Sequence, residues 1–247
     1  MGVNKKIIVW TALNTSGFNI EREKDINWLN KRIFLMNQYV IPCMENQTDQ
    51  KFLWFIEIRE DTFDFVKEHL KIKNNNFKLI KRPINIDETC MAFIRQKENI
   101  KKYVDTEYFY DVRLNSDDLY KNNFIEVLNN LKITKDIQAI LPQYGYMWYL
   151  QNNKLCLRKQ KSPPFTTLIY NTKEFLDGFF HYMPRGHEEI IRKLKCYLLE
   201  NPLWCVIVHD TNNKIYRLGK YTSYKKFQDV ELKLLKDFIS WETLKSL

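Results

Sequence analysis

The stretch with the greatest chemical content runs from Tyr108-Phe109-Tyr110-Asp111 to Asn115-Ser116-Asp117-Asp118, an aromatic-rich strand ending directly in an acidic turn. Ligands of open α/β sheets sit at the carboxyl ends of strands. A compact set of oxygen donors at that position is what a hard divalent cation requires if it is to hold a diphosphate. The same residues also make a helix start, with Ser116 as N-cap and Asp117 and Asp118 complementing the positive end of the dipole. A second polar group, His209-Asp210-Thr211-Asn212, closes the apolar run Trp204 to Val208. That places His209 at the edge of a site, where an imidazole serves as a structural hydrogen-bonding group or as a ligand. Asn212 beside Asn213 also reads as turn chemistry.

Such groups need a sheet to carry them. Short apolar runs predict strands at Lys6 to Ala12, Phe52 to Ile58, Phe77 to Lys81, Tyr108 to Leu114 and Ile137 to Leu141. Between them, Asp25 to Tyr39 gathers Trp28, Leu29, Ile33 and Met36 on one helical face, and Glu88 to Val104 does the same with Met91, Ile94 and Ile100. A helix after Ser116 is expected to present Leu119, Phe124, Val127, Leu128 and Leu131. This alternation is that of an α/β sheet layered with helices. After Pro142 the rhythm becomes less regular. Tyr144 to Leu150 and Leu155 to Arg158 predict a hairpin turning at Gln151-Asn152-Asn153, followed by the breaker Ser162-Pro163-Pro164. Arg185 to Leu199 predicts a helix and Trp204 to Val208 a buried strand. Val230, Leu234, Phe238, Trp241 and Leu244 form the apolar stripe of a terminal helix. No linker or repeat interrupts the chain.

Composition removes several classes. With 45% hydrophobic residues and 28% charged in 247 residues, the chain has the material for a core and is not disordered. No apolar run approaches the roughly 18 residues of a membrane span. Lys5-Lys6 and Ile7 to Leu13 resemble parts of a signal peptide but are short, β-branched and without a cleavage site, so they read as the first strand. Cys43, Cys90, Cys156, Cys196 and Cys205 show no metal-ligand spacing and suit free thiols in a reducing cytoplasm. The net charge of +9 falls into basic clusters at Lys71 to Arg82, Lys154 to Lys161 and Lys214 to Lys226, the last with Tyr216, Tyr221 and Tyr224. Solvated faces account for such runs. There is no G-x-S-x-G elbow, P-loop or H-E-x-x-H, and 6 glycines leave no dinucleotide turn.

Taken in order, the segments resemble the GT-A class of nucleotide-sugar glycosyltransferases. The first strand is followed by a helix, by Cys43-Met44-Glu45-Asn46-Gln47-Thr48 and by the second strand. A helix carrying Ala92, Arg95, Asn99 and Ile100 then precedes the strand that delivers the acidic DxD-type turn. Within that class the chain resembles the rhamnosyltransferase family, through Arg113-Leu114-Asn115-Ser116-Asp117-Asp118, Ser162-Pro163-Pro164-Phe165 and Trp204-Cys205-Val206-Ile207-Val208-His209-Asp210-Thr211-Asn212. The resemblance spans about residues 6 to 213. It implies an α/β, GT-A-like fold, a Rossmann-like mixed sheet flanked by helices. One domain over 1–247 is expected, with 1–141 as the nucleotide-sugar-binding half and 142–247 on the acceptor side.

The resemblance further implies an inverting, metal-dependent transfer of a sugar, rhamnose by family, from a nucleotide diphosphate donor to a carbohydrate or lipid-linked acceptor, as in polysaccharide biosynthesis. Asp117 or Asp118 together with His209 would hold Mn²⁺ or Mg²⁺, and Asn212 would bond diphosphate or sugar. Arg113, Asn115 and Arg95 would lie near the donor phosphates. Thr11 and Asn14 after the first strand, and Glu57 or Asp61 after the second, would line the nucleotide pocket. Glu188 or Glu189 would be the general base, with His187 and Asp177 in reserve. The family has Asp where this chain has Asn115, and an amide brings no charge to a metal. The implied location is cytoplasmic, with room for peripheral association at the inner membrane face, and no nucleic acid partner is expected. Two other readings stay open: a basic nucleic-acid-binding protein, which lacks a recognised motif, and an inactive glycosyltransferase-like sugar binder, which Asn115 admits.

Overall fold

The computed structural model describes residues 4–15, 19–83, 88–181, 183, 186–210, 212 and 228–240, with backbone alone for 88–95, 228 and 229. The first half alternates strand and helix: β1 (Lys5–Ala12), α1 (Ile20–Lys24), α2 (Ile26–Leu35), α3 (Ile41–Glu45), β2 (Phe52–Arg59), α4 (Phe63–His69), β3 (Phe77–Arg82), α5 (Glu88–Tyr103) and β4 (Tyr108–Arg113). A wide turn at Met36–Val40 joins α2 to α3. There follow β5 (Asp118–Tyr120), α6 (Phe124–Asn130), β6 (Ala139–Tyr149), β7 (Lys154–Lys159), β8 (Thr167–Asn171), α7 (Thr172–Leu176), α8 (Ile190–Lys193), β9 (Cys196–Val208) and β10 (Gln228–Val230).

One mixed sheet runs β10-β7-β6-β8-β4-β1-β2-β3, with β9 paired to β6 and to β5. Strands β3, β2, β1 and β4 are parallel, so the carboxyl ends of β1, β2 and β4 open on the same edge. Near-continuous apolar runs such as Ile7-Ile8-Val9 and Trp54-Phe55-Ile56 are buried on both faces of the sheet, as a helix-covered parallel sheet demands. Strand β8 enters antiparallel beside β4, and the hairpin β6–β7 extends the sheet beyond it. Asn153 takes the left-handed conformation at that turn (φ 49°), which an Asn tolerates better than most side chains.

The first four predicted strands, the Gln151–Asn153 hairpin and the Trp204–Val208 strand are present, and the fifth, Ile137 to Leu141, is joined through Pro142 to the first hairpin strand as the single strand β6. Two expectations are corrected. Asp117 and Asp118 do not start a helix: Asp117 lies in a turn that leads into β5, Asp118 is the first residue of that strand, and α6 begins only at Phe124, so helix capping does not explain the acidic turn. The helix over 185–199 is reduced to a short turn and α8, because Cys196–Leu199 is drawn into β9 by parallel pairing with Ala139–Pro142. At the C-terminal end, Leu232–Asp237 forms 3₁₀ turns. The remainder of the expected terminal helix from Trp241, and the basic cluster at 214–226, lie outside the described residues.

On the sheet face carrying Ile8, Trp10, Phe55, Phe109 and Tyr170, Asp111 on β4 stands opposite Ile8. Burial first, then the Glu57 charge, pushes the Asp111 carboxyl up to about 7, with Arg113 opposing. The folded state therefore holds the proton more tightly than the unfolded chain. Stability from this group is intact below pH 4 and is lost as pH rises toward 7. Asp111→Asn should raise the melting temperature more at pH 8 than at pH 5. Allowing for the partial exposure of the side chain, the difference is about 1 kcal/mol, or roughly 2–4 °C in a chain of this length. Melts of both proteins at the two pH values check this. A gain that does not change with pH would show that Asp111 is charged in the fold.

Candidate active site

The turn after β4 is held from several sides. Leu114 N–H donates to Trp10 O at 2.9 Å, continuing the β1–β4 pairing, and Tyr120 Oη donates to Arg113 O at 2.6 Å. Asp117 thus stands at the carboxyl edge of the parallel strands. Its Oδ2 lies 3.0 Å from His209 Nε2 and accepts from Asn212 Nδ2 at 3.0 Å and Arg32 Nη1 at 2.6 Å. His209 is delivered by the end of β9, and Asn212 closes the turn behind it by accepting the His209 N–H at 2.7 Å. Burial alone would raise the Asp117 carboxyl, but the Arg32 guanidinium and His209 outweigh it and hold Asp117 well below the usual carboxylate range.

Asp118 is engaged differently. Its Oδ2 accepts from Asn115 Nδ2 at 2.6 Å. Burial, followed by the Asp117 charge, pushes its carboxyl above the ordinary value. Of the two acidic residues, Asp117 is the one that meets His209. Asn115 Oδ1 is also 3.4 Å from the guanidinium of exposed Arg113, so the amide bridges Arg113 and Asp118 and uses its donor in doing so.

Aromatic contacts join the second and third motifs to β5, the strand that continues from the first. Tyr120 packs edge-on against Phe165 at 5.6 Å, and Phe165 stacks on Trp204 at 4.8 Å. Arg113 N–H donates to Thr166 O at 2.9 Å. The segment with Glu188 and Glu189 is tied to the same loop: His187 Nδ1 lies 2.8 Å from Ser162 O, and Ser162 Oγ donates to His187 O. Glu188 is exposed, whereas Glu189 is buried and paired with Lys193 at 3.1 Å.

The expected nucleotide-pocket residues fare less well. Thr11 is fully buried and its hydroxyl accepts from Trp54 Nε1 at 2.9 Å. Asn14 is likewise buried, donating to Glu23 O at 2.9 Å and Thr62 Oγ1 at 2.8 Å while accepting the Arg59 N–H at 3.1 Å. Thr11 thus ties β1 to β2, and Asn14 ties the end of β1 to α1, the end of β2 and the turn before α4. Asp61 receives a two-pronged contact from Arg59 at 2.9 and 3.1 Å. Arg95 lies on α5 with its side chain outside the described residues.

Sequence reasoning passed over Arg32. It sits four residues after Trp28 and three after Leu29, on the apolar stripe of α2. A lone cation on such a face was the available signal. It is 5% exposed, donates to Ser116 Oγ at 2.9 Å as well as to Asp117, and places its guanidinium 5.1 Å from the Trp28 ring. A groove of about 540 Å³, lined by Arg22, Trp28, Lys31 and Asp210 among others, lies between α2 and the segment after β9.

A family model described as "putative rhamnosyl transferase" matches residues 21–216. The chain belongs to this family. Rhamnosyl transferase membership makes the protein a transferase. No curated protein matches the chain. Among solved structures, the inositol-1-phosphate CTP transferase from T. maritima is 8% identical with a TM-score of 0.40, covering 84% of this chain and 90% of that one. S. aureus TarS is 12% identical with a TM-score of 0.37, covering 83% of this chain and 37% of that one.

Asp117 Oδ2 and His209 Nε2 stand 3.0 Å apart, an oxygen–nitrogen donor pair of the kind that shares one divalent ion, and among the described residues no group of three or more His, Cys, Asp or Glu side chains gathers as a metal site. No helix among the described residues is long and apolar enough to cross a membrane.

Proposed function

We propose that this rhamnosyl transferase family member moves a sugar, rhamnose by family, from a nucleotide diphosphate donor to a carbohydrate or lipid-linked carbohydrate acceptor, with inversion. The observation that carries the reading is the contact of Asp117 with His209 across 92 residues at the sheet's carboxyl edge, within a chain of that family. In this reading 1–247 is one GT-A-like domain, with 1–141 on the donor side and 142–247 on the acceptor side. Asp117 and His209 would hold Mn²⁺ or Mg²⁺. Such an ion supplies electrostatic stabilisation of the departing diphosphate.

The chain's own residues do the rest. Asn212 Nδ2 donates to Asp117 Oδ2 and lies 3.1 Å from His209 Nε2, so one amide holds both side chains. Arg113, exposed beside the turn, offers a fork of donors to phosphate oxygens. Glu188, exposed where Glu189 is paired with Lys193, takes the proton of the acceptor hydroxyl. That oxygen bonds to the anomeric carbon while the carbon–phosphate-oxygen bond breaks and its electron pair leaves with the nucleoside diphosphate.

The test is a panel of nucleotide sugars, activated rhamnose included, incubated with the protein and Mn²⁺ and scored for nucleoside diphosphate release. One donor should be consumed at a rate well above the protein-free control. That rate should fall by about 10²-fold or more in Asp117→Asn. Failure of every donor to turn over would defeat the reading, and binding of a donor without turnover would favour a sugar binder without catalysis.

A further inference from the structure

The same carboxylate oxygen that faces His209 is already held by a cation of the protein itself. Arg32 reaches Asp117 Oδ2 from α2 at 2.6 Å, its second Nη bonds Ser116 Oγ at 2.9 Å, and the side chain is 94% buried. With Asn212 Nδ2 at 3.0 Å, Oδ2 has a donor for each of its lone pairs, counting Arg32. The guanidinium stays charged at any working pH. Arg32 and Asp117 form a neutral buried pair, the arrangement that makes burial of either charge tolerable. A divalent ion added to that pair would leave a buried group of net charge +2 and compete with Arg32 for Oδ2. The Arg32 Nε is moreover buried without a hydrogen-bond partner in the described structure, so the guanidinium's donors are not all used by Asp117 and Ser116.

We infer that Arg32 occupies the cation position at Asp117 in the free protein, and that a divalent ion is taken up only together with the donor's diphosphate. The inference rests on the catalytic reading above. A diphosphate brings two or more negative charges, oxygen ligands for the ion, and acceptors matched to a guanidinium fork. It cancels the excess positive charge and draws Arg32 from Asp117, leaving Oδ2 to the ion. Arg32 is in this sense a positioning residue, setting the order in which ion and donor bind.

Equilibrium dialysis of Mn²⁺ against the purified chain, with and without inorganic pyrophosphate, tests it directly. The protein should bind Mn²⁺ weakly alone and at least tenfold more tightly with pyrophosphate, after correction for the Mn²⁺–pyrophosphate complex in the opposite chamber. Arg32→Gln should bind Mn²⁺ at least tenfold more tightly than the parent in the absence of pyrophosphate. If that variant does not fold, Arg32→Lys, which keeps the buried charge, should retain the pyrophosphate dependence, and its loss there counts against the inference. Equal uptake with and without pyrophosphate by the parent overturns the inference and leaves the catalytic reading standing. No uptake by either protein in any condition overturns the inference and the metal part of that reading together, while donor turnover in the nucleotide-sugar panel still decides the reaction.

Discussion

Glu188→Gln should lower the rate of sugar transfer by about 10²- to 10⁴-fold, the scale of a lost general base, and leave donor affinity within about twofold. The two effects separate because a base acts on the acceptor proton in the transition state, whereas donor affinity is set by phosphate, nucleotide and ion contacts elsewhere. Location supports the choice of residue. The short turn Gly186–Glu189 is anchored to Ser162 through His187, and Phe165 of the same loop packs on Tyr120 of β5 and Trp204 of β9, the strands that Asp117 precedes and His209 follows. Glu189 is buried on Lys193, so Glu189→Gln should weaken that contact with little effect on rate. Initial rates and calorimetric donor titration of both variants decide it. Full activity in both would remove this pair and turn attention to Asp177 and His187. A rate loss confined to Glu189→Gln would exchange the two roles.

Gly145→Ala should be among the most destabilising single changes in the chain. A Cβ at Gly145 would lie 2.0 Å from Trp204 Cδ2 and 2.4 Å from Cε2 and Cε3, distances at which the indole must move. The ring has little room to do so. Trp204 is fully buried, stacked on Phe165 at 4.8 Å, and donates from Nε1 to Pro142 O at 2.7 Å. Overpacking costs about 1–3 kcal/mol and a broken buried hydrogen bond about 1–3 kcal/mol more. A combined loss of about 2–6 kcal/mol corresponds to roughly 4–24 °C in melting temperature for a chain of this size. Thermal melts measure it. An unchanged midpoint would mean that the β6–β9 pair shifts to admit a methyl group. Because Trp204 also joins the third family motif to the second through Phe165, transfer activity should fall in the same variant below its melting range.

Much of this architecture was legible in the order of residues. Continuous apolar runs at Ile7–Val9 and Trp54–Ile56 can belong only to strands covered on both faces. The acidic turn at the end of the Tyr108 strand and the polar end of the Trp204 strand marked the site's two halves. Local chemistry also fixed the Asn153 turn, where an Asn is one of the few side chains at ease with positive φ.

What the chain left undecided is whatever depends on a partner far along it. Cys196–Leu199 follows Ile190, Ile191 and Leu194 at helical spacing and reads as more helix. Its strand state is conferred by hydrogen bonds to Ala139–Pro142, which no local propensity contains. Thr11 looks like a pocket hydroxyl until Trp54 is found to use it. The Asp117–His209 contact joins positions 92 apart, and periodicity carries no information about such a distance. Arg32 shows the limit most clearly. Its sequence position said only that a cation lies on an apolar helix face, where an unpaired charge is costly. The partner that makes it tolerable is supplied 85 residues later, and only the packing of α2 against the β4–β5 turn turns an apparent flaw in an amphipathic helix into part of the site.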